Sequence, residues 1–257
     1  MILQHKGSPI YFSDEGKGTA IILLHGFLEN SSMWKRIAPV LAKKNRVICI
    51  DLLGHGETAC IGYIHTMDMM ADAVQTVLNH LKIRRYHIVG HSMGGYVALV
   101  LAERLPDNIK GLVLLNSHAK PDQEDRVKLR NRAIQAAKTN YSTVVSMSVS
   151  NLFRPENTKK FAKDIQWIKD EALNTPIQGY IAAQEGMKIR NDLEVLLHFS
   201  PYRKMIIYGK NDPVMDPEII LQQTANTEVK LVELSGGHMS HIENEDDMLH
   251  ELLNFIE

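Results

Sequence analysis

The stretch YHIVGHSMGGYVALVLAERL, residues 86–105, decides the fold, because a strand and a helix meet in it at Ser92. Tyr86 to Val89 is short, apolar and partly β-branched, as expected for a strand that is buried on both faces. Beyond Ser92 the apolar residues recur at the spacing of a well-buried helix. The chain therefore passes from strand to helix with almost no loop, and Ser92 stands at the corner.

Two glycines, Gly90 and Gly94, flank Ser92 two residues away on either side. A turn this sharp crowds the residues around it, and glycine has no Cβ that could clash. Such a corner holds the serine hydroxyl at the top of a sheet, above the backbone N–H groups of a helix N-terminus. A nucleophile that attacks a carbonyl group needs this exposed oxygen and N–H donors for the oxyanion. The alternative is an ordinary tight turn in which Ser92 caps the helix.

The composition is that of a globular protein with a full apolar core. Of the 257 residues, 44% are hydrophobic and 23% are charged, and the net charge is −1 with neutral histidines. This balance gives no indication of a polyanion or an anionic membrane surface as partner. We therefore expect no nucleic-acid partner and no membrane partner, while the composition leaves the oligomeric state open.

The N-terminus and the cysteines predict the compartment. MILQHKGSPI has no basic region followed by a long apolar one, so we expect neither a signal peptide nor a transmembrane helix. Cys49 lies in an apolar strand and Cys60 in the loop after it, so free thiols in a reducing cytoplasm are the simplest account. The 12 histidines form no HExxH or comparable frame. We expect a cytoplasmic protein with no metal and no cofactor.

Short buried strands alternate with amphipathic segments at both ends of the chain. We predict a hairpin of residues 1–5 and 10–13 with a polar turn at 14–18, strands at 20–24, 46–50, 86–89, 111–115, 204–208 and 229–234, and helices at 32–43, 67–81 and 246–256. This alternation predicts an α/β fold, with a mostly parallel sheet and helices on both faces.

The alternation stops between residues 118 and 199, where no convincing buried strand is present. Amphipathic segments at 125–138, 143–152, 157–172 and 177–187 are typical of helices, and Pro155 and Pro176 separate them. We therefore expect a helical cap, residues 118–199, inserted into a core of residues 1–117 and 200–257.

A serine nucleophile needs a base, and the base needs an acid that orients it. Asp212 follows the strand at 204–208, and His238 follows the strand at 229–234 after two glycines. Functional residues of parallel sheets gather at the carboxyl ends of the strands, so Asp212 and His238 are the candidates. His241 is a rival base, and Asp51 a rival acid that we interpret, like His55, as structural. Asp212 could instead cap the helix that begins near residue 216.

The loop after the strand at 20–24 reads His25-Gly26-Phe27. Gly26 permits a backbone conformation that turns the N–H of Phe27 inward, and the N–H of Met93 would complete an oxyanion hole. The side chain of His25 is interpreted as structural.

Five motifs in this order resemble those of the α/β-hydrolase superfamily: HGF at 25, DLLGHG at 51, GHSMGG at 90, GKNDPV at 209 and GGHMSHIE at 236. The resemblance covers essentially the whole chain. It implies an eight-stranded, mostly parallel sheet with a helical cap. It also implies a triad of Ser92, Asp212 and His238, in the chain order of this superfamily, and oxyanion N–H groups from Phe27 and Met93. The motifs look closest to small capped esterases, enol-lactonases and cofactor-free haloperoxidase-like members.

The expected function is hydrolysis of a small-molecule carboxylic ester, lactone or thioester through an acyl-enzyme. Alternatives are a C–C bond hydrolase or small-acid lyase with the same triad, or a ligand sensor with slow turnover. An epoxide hydrolase or dehalogenase is disfavoured, because those relatives carry aspartate at the position of Ser92. A cationic pocket would favour the lyase, and Arg126, Arg130 or Arg190 could provide one. Candidate substrate contacts are His118, Trp167, Tyr180, Gln184 and Met187.

Overall fold

Eight strands form one sheet in the computed structural model, which describes all 257 residues, Met1–Glu257. The strands are β1 Ile2–His5, β2 Ser8–Gly16, β3 Thr19–Leu24, β4 Asn45–Ile50, β5 Tyr86–His91, β6 Ile109–Leu115, β7 Arg203–Gly209 and β8 Lys230–Leu234. Their order across the sheet is β1-β2-β4-β3-β5-β6-β7-β8. β1, β2 and β4 pair in antiparallel fashion, and every pairing from β4 to β8 is parallel. The predicted eight-stranded, mostly parallel sheet is confirmed.

Eleven helices accompany the sheet. They are α1 Ala38–Leu41, α2 Met67–His80, α3 Met93–Arg104, α4 Glu124–Thr139, α5 Tyr141–Ser150, α6 Ala162–Leu173, α7 Ile177–Lys188, α8 Val195–Phe199, α9 Pro217–Thr224, α10 Ser240–Glu243 and α11 Glu245–Ile256. Short 3₁₀ turns lie at Ser31–Trp34, Pro106–Asn108 and Pro155–Asn157. None of these helices is long and apolar enough to span a bilayer.

The side chains of β3 divide between two apolar cores. Ile22 and Leu24 belong to one core, and Ile21 and Leu23 belong to the other. Because successive side chains of a strand point to opposite faces, the two cores lie on the two sides of the sheet. Helices α2 and α3 contribute to the first core, whereas α1 and α11 contribute to the second. The sheet is therefore covered on both faces, as the apolar strands require.

Helices α4 to α8 lie between β6 and β7 and are called the helical segment below. A third, small apolar core, which includes Val145, Ile165 and Tyr180, joins helices α4 to α7 to Leu28 after β3 and to Met239 after β8. The loops after β3, β4 and β8 form hydrogen bonds with this segment, namely Asn30 with Glu171, the N–H of His65 with the carbonyl of Ala182, and the N–H of His238 with the carbonyl of Leu152. All three loops follow the carboxyl ends of strands, so the helical segment lies over that edge of the sheet.

Glu243, the last residue of α10, joins the β8 side of this edge to the helical segment. Its Oε1 accepts the N–H of Gly237 at 2.9 Å. Its Oε2 accepts the side-chain amide of Asn157 at 2.6 Å and the N–H of Arg154 at 3.2 Å. One buried carboxylate thus holds together two parts of the chain that are distant in sequence.

The continuous helix predicted for residues 32–43 is wrong. The segment forms a 3₁₀ turn at Ser31–Trp34, and α1 covers only Ala38–Leu41. Pro39 has no N–H group, so it cannot donate the helical hydrogen bond to the carbonyl of Lys35. This missing bond explains why the two helical pieces stay separate.

The polar turn predicted for residues 14–18 is too long. Asp14 to Gly16 continue β2 and pair with β4. Arg46 of β4 binds the Asp14 carboxylate through its Nε at 2.8 Å, which stabilises an acidic residue within the strand. Only Lys17 and Gly18 remain for the turn.

The sequence did not predict the short helices α8 and α10. They have five and four residues, which is too few for apolar residues to show the helical repeat.

Leu23 of β3 provides a test of the second core. It is completely buried, whereas Leu221 of α9 is 46% exposed. We expect Leu23→Ala to lower the free energy of unfolding by about 2–5 kcal/mol, because it removes buried methyl groups and leaves a cavity. Leu221→Ala should change it by less than about 1 kcal/mol. Urea unfolding of both variants measures the difference, and equal effects would contradict this description of the core.

Candidate active site

Ser92 lies between β5 and α3 in a strained backbone conformation. Its φ of 49° and ψ of −115° are sparsely populated for a residue with a side chain. A Cβ at Gly90 would lie 2.3 Å from the carbonyl oxygen of Gly94, and a Cβ at Gly94 would lie 2.5 Å from that of Leu24. Both glycines are therefore required, as the sequence predicts, because the turn leaves no room for any side chain at these positions.

His238 connects Ser92 to Asp212. Its Nε2 lies 2.9 Å from Ser92 Oγ, and its Nδ1 lies 2.7 Å from Asp212 Oδ2. A carboxylate can only accept, so Nδ1–H donates to Asp212, which leaves Nε2 to accept the hydrogen bond of the serine hydroxyl. His238 and Asp212 are buried and Ser92 is half-buried. The hydroxyl, the imidazole and the carboxylate form one hydrogen-bonded chain.

Asp212 is held in place by further donors. Its Oδ1 accepts the N–H groups of Val214 at 2.8 Å and Met215 at 3.0 Å, and its Oδ2 accepts the side-chain amide of Asn116 at 3.1 Å. Burial alone would raise the pKa of Asp212, but the charge of His238 and the hydrogen bonds from His238, Val214 and Met215 lower it. Asp212 is therefore ionised at neutral pH beside the imidazole.

Asp212 does not cap α9, which was the alternative role considered for it, because Asp216 is the N-cap of that helix. Asp216 is the N-cap of α9, and its Oδ1 accepts the N–H of Glu218 at 2.9 Å. Asp212 lies before that helix and turns toward His238 instead.

Two backbone N–H groups next to Ser92 lack acceptors. The N–H of Met93, at the start of α3, and that of Phe27, after β3, form no hydrogen bond within the protein. The sequence predicts that Gly26 permits the backbone conformation that turns the Phe27 N–H inward, and the φ of Gly26 is not in the left-handed region that would require glycine. A Cβ there would lie 2.5 Å from Glu29 Oε2 and 2.7 Å from His91 Nδ1, so Gly26 makes room for these two side chains.

Glu29 and His91 form a buried pair beneath Ser92 that the sequence did not indicate. Glu29 Oε2 lies 2.7 Å from His91 Nδ1 and accepts the N–H of Gly26 at 2.6 Å. His91 Nε2 lies 3.0 Å from the carbonyl oxygen of His238, to which it donates. The pair therefore connects the Phe27 loop to the backbone of His238. The only signals in the sequence are the positions of Glu29 in the loop and His91 beside Ser92.

The pKa values of this pair are shifted in opposite directions. Burial alone would raise the pKa of Glu29, but the charge of His91 outweighs it and lowers the pKa to about 2. Burial alone would lower the pKa of His91, but Glu29 raises it above its ordinary value of 6.5. The pair is therefore an ion pair over the weakly acidic range.

His241 completes the only set of side chains that could hold a metal. Glu29, His91 and His241 offer ligand atoms within 4.8 Å of one another. Glu29 and His91 already bind each other, so a metal ion would have to break their hydrogen bond. His241 is buried without a hydrogen-bond partner, and burial lowers its pKa to about 3. His241 forms no hydrogen bond with Ser92, whereas His238 does, so of the two histidines considered as the base only His238 has the contact that a base needs.

Asp51 and His25 support loops around the site. Asp51 accepts the N–H groups of Ser31 at 2.7 Å and Glu57 at 2.9 Å. His25 Nε2 accepts the N–H of Leu52 at 2.8 Å. Both side chains brace glycine-containing turns, as the sequence interpretation has it.

Ser92 and His238 open into a cavity of about 860 Å³ between the sheet and the helical segment. Of the predicted contact residues, His118, Tyr180, Gln184 and Met187 line this cavity. Burial and the charge of Arg190 lower the pKa of His118 to about 3, so its ring is neutral at pH 7.

Trp167 was predicted to line the cavity and does not. Its ring packs against the core of the helical segment, and Lys35 Nζ lies 3.1 Å from the ring centroid. The indole therefore has its contacts with Lys35 and with this core, away from the cavity. The three arginines considered for a cationic pocket, Arg126, Arg130 and Arg190, do line the cavity.

Comparisons with known proteins agree with the fold described above. A family model of the alpha/beta hydrolase fold matches residues 19–141. The dihydrolipoyllysine-residue acetyltransferase component of an acetoin cleaving system from Pseudomonas putida is 30% identical over 246 residues, 93% of this chain. The 3-oxoadipate enol-lactonase 1 of Acinetobacter baylyi is 27% identical over 265 residues, covering 100% of this chain and 96% of that protein. A thermophilic esterase from Thermogutta terrifontis superposes with a TM-score of 0.91 at 27% identity, covering 98% of this chain and 95% of that chain.

This chain covers different fractions of the lengths of its curated relatives. It spans 64% of the length of the Pseudomonas putida protein and 31% to 35% of four others, among them a fluoroacetate dehalogenase from a Burkholderia species. The enol-lactonase and the esterase correspond to this chain over nearly their full lengths.

The Glu29–His91 pair predicts a specific pH dependence of stability. The lowered pKa of Glu29 stabilises the fold above its ordinary value of 4.5, and this contribution is lost as the pH falls toward 2. The raised pKa of His91 stabilises the fold below 6.5, and this contribution is lost as the pH rises through the folded-state pKa. At about pH 5.5 we expect Glu29→Gln to lower the free energy of unfolding by about 3–5 kcal/mol.

Urea unfolding at several pH values measures this effect. The difference between the original protein and Glu29→Gln should shrink between pH 4.5 and pH 2, because Glu29 becomes protonated there. Glu103→Gln, at an exposed glutamate without an ion pair, serves as the control and should show no such change. A difference that stays constant down to about pH 2 would exclude the ion pair as its cause.

Proposed function

The chain belongs to the α/β-hydrolase superfamily, and from this premise we propose that it is a serine hydrolase of small-molecule carboxylic esters. In this proposal Ser92 is the nucleophile, His238 the base and Asp212 the acid that orients it. The N–H groups of Phe27 and Met93 form the oxyanion hole. The observation that carries the proposal is the hydrogen-bonded chain from Asp212 through His238 to Ser92, which opens into a large cavity.

The reaction begins with transfer of the serine proton to His238 Nε2, as Ser92 Oγ attacks the ester carbonyl carbon. The carbonyl oxygen becomes an oxyanion, which accepts hydrogen bonds from the free N–H groups of Phe27 and Met93. Asp212 stabilises the imidazolium that forms. His238 then gives its proton to the alcohol oxygen as the C–O bond breaks, which leaves an acyl group on Ser92.

Water completes the cycle by the same steps. His238 takes a proton from the water as its oxygen attacks the acyl carbon, and a second oxyanion forms at the same N–H groups. When the bond to Ser92 Oγ breaks, the imidazolium returns a proton to the serine, and the carboxylic acid leaves. Apart from the substrate and the water, every group in this sequence of steps belongs to this chain.

Specificity within the class is assigned to the helical segment, which we propose acts as a cap, residues 118–199, over a core of residues 1–117 and 200–257. Support comes from the hydrogen bonds that hold this segment over the carboxyl edge of the sheet. The names of the enol-lactonase and the esterase place lactones and esters among the substrates to be tried. The cytoplasmic location and the choice among ester, lactone and thioester remain predictions.

Replacement of the nucleophile tests the proposal. We expect Ser92→Ala to reduce hydrolysis of p-nitrophenyl esters by at least about 10⁴-fold, because no other group can form the acyl-enzyme. Ser142→Ala, at an exposed serine of α5, is the matched control and should retain full activity. Circular dichroism checks that both variants are folded. Full turnover by folded Ser92→Ala would refute the assignment.

Replacement of the acid distinguishes orientation from simple charge. Asp212→Asn keeps the shape of the side chain but offers an N–H where His238 needs an acceptor, so the imidazole adopts the wrong tautomer. We expect kcat to fall by about 10⁴-fold with little change in KM. The same two variants, Ser92→Ala and Asp212→Asn, are also assayed with lactones and β-diketones. A substrate whose turnover falls in both variants is one that the original protein converts with Ser92 and Asp212.

A further inference from the structure

Three guanidinium groups but only one buried carboxylate face the cavity from the helical segment. The arginines are Arg126 and Arg130 of α4 and Arg190 after α7, and the carboxylate is that of Asp122. The other two acidic groups of the lining outside the hydrogen-bonded site, Asp125 and Asp216, are exposed to solvent. The inner wall of the helical segment therefore carries an excess of positive charge.

Asp122 fixes two of these three arginines. Its carboxylate binds Arg130 Nε and, at 2.5 Å, Arg190 Nη1. Arg130 Nη1 also donates to Gln184 Oε1 at 2.9 Å. The guanidinium carbon of Arg190 lies 4.0 Å from the ring centroid of Tyr96. All of these side chains are rigidly held, and one negative charge is shared between two positive ones.

Arg126 has no such partner. It is half-buried in the cavity wall, and it forms no hydrogen bond and no ion pair with any residue of the chain. Burial and the neighbouring charge of Arg130 lower the pKa of Arg126, which reflects the unbalanced positive charge around it. A guanidinium still stays protonated at neutral pH, so Arg126 presents all five of its N–H donors as a charged group.

We propose that Arg126 binds a carboxylate of the substrate, so that the preferred substrate is a carboxylic ester that carries a second, remote carboxylate. Arg130 and Arg190 add to the attraction but are already engaged with Asp122. One free planar guanidinium matches one planar carboxylate through two parallel N–H···O bonds. A phosphate dianion carries a second negative charge, which Arg126 alone would not balance because Arg130 and Arg190 are paired with Asp122, and this favours the carboxylate.

This inference rests on the proposed ester hydrolysis, because it adds a binding site for the far end of the same substrate. Ser92 and Arg126 line one cavity, whose volume of about 860 Å³ is ample for a small dicarboxylic monoester. The neutral ring of His118 and the amide of Gln184 lie in the same lining and add no charge that would compete with Arg126.

Matched pairs of substrates test the inference. Monomethyl succinate, adipate and suberate are compared with methyl butanoate, hexanoate and octanoate, in which a methyl group replaces the remote carboxylate. Proton release in a pH-stat gives kcat/KM for each. We expect the original protein to prefer the acidic member in at least one pair, and Arg126→Gln to lower this preference by about 10- to 100-fold. Arg132→Gln, at an exposed arginine of the same helix, should leave the preference unchanged.

Binding provides a readout that does not depend on turnover. Calorimetry with folded Ser92→Ala should detect adipate or succinate, and adding Arg126→Gln should weaken that binding by a similar factor, with Arg126→Lys between the two. If no ester is hydrolysed but dicarboxylate binding still requires Arg126, the proposed function fails and the carboxylate site stands. Equal preference ratios in the original protein and Arg126→Gln, together with equal dicarboxylate affinities, would overturn the inference.

Discussion

The contact between the β5–α3 turn and the end of β3 determines the geometry of the whole site. The backbone around Gly94 lies so close to Leu24 that even a Cβ at Gly94 would come within 2.5 Å of its carbonyl oxygen. That approach fixes α3 against the neighbouring strand and forces Ser92 into its strained turn. The same approach holds the end of β3, from which the loop with Phe27 continues, against the start of α3. Small residues at one turn therefore set the relative position of two strand ends whose loops line the cavity.

Much of this arrangement could be predicted from the sequence, because the strands and the residues that follow them can be recognised from short stretches of the chain. Ser92, Asp212 and His238 each follow a strand of the parallel sheet within four residues, and parallel strands bring their carboxyl ends to one edge. The predicted sheet followed from the same apolar runs. The break at Pro39 was visible in the sequence, yet the apolar period around it favoured a longer helix than the backbone allows.

The rest depended on contacts between distant segments. The Glu29–His91 pair requires two side chains 62 positions apart to meet beneath a glycine, and no periodicity indicates such a meeting. Trp167 was misplaced for a related reason, because α6 is amphipathic but its rotation is set by packing and by Lys35. Arg126 could be named as a candidate, but only the positions of Arg130, Arg190 and Asp122 reveal that it alone lacks a partner.

Glu243 gives the cavity a mechanical property. Its two carboxylate oxygens hold different pieces of the chain, the backbone just before His238 and the connection between α5 and α6. The N–H of His238 itself binds the carbonyl of Leu152 in that connection. The position of the backbone that carries the His238 imidazole therefore depends on hydrogen bonds made by the helical segment as well as on the sheet. A substitution in the connection between α5 and α6, far from Ser92 in sequence, would act directly on the residue that is hydrogen-bonded to Ser92.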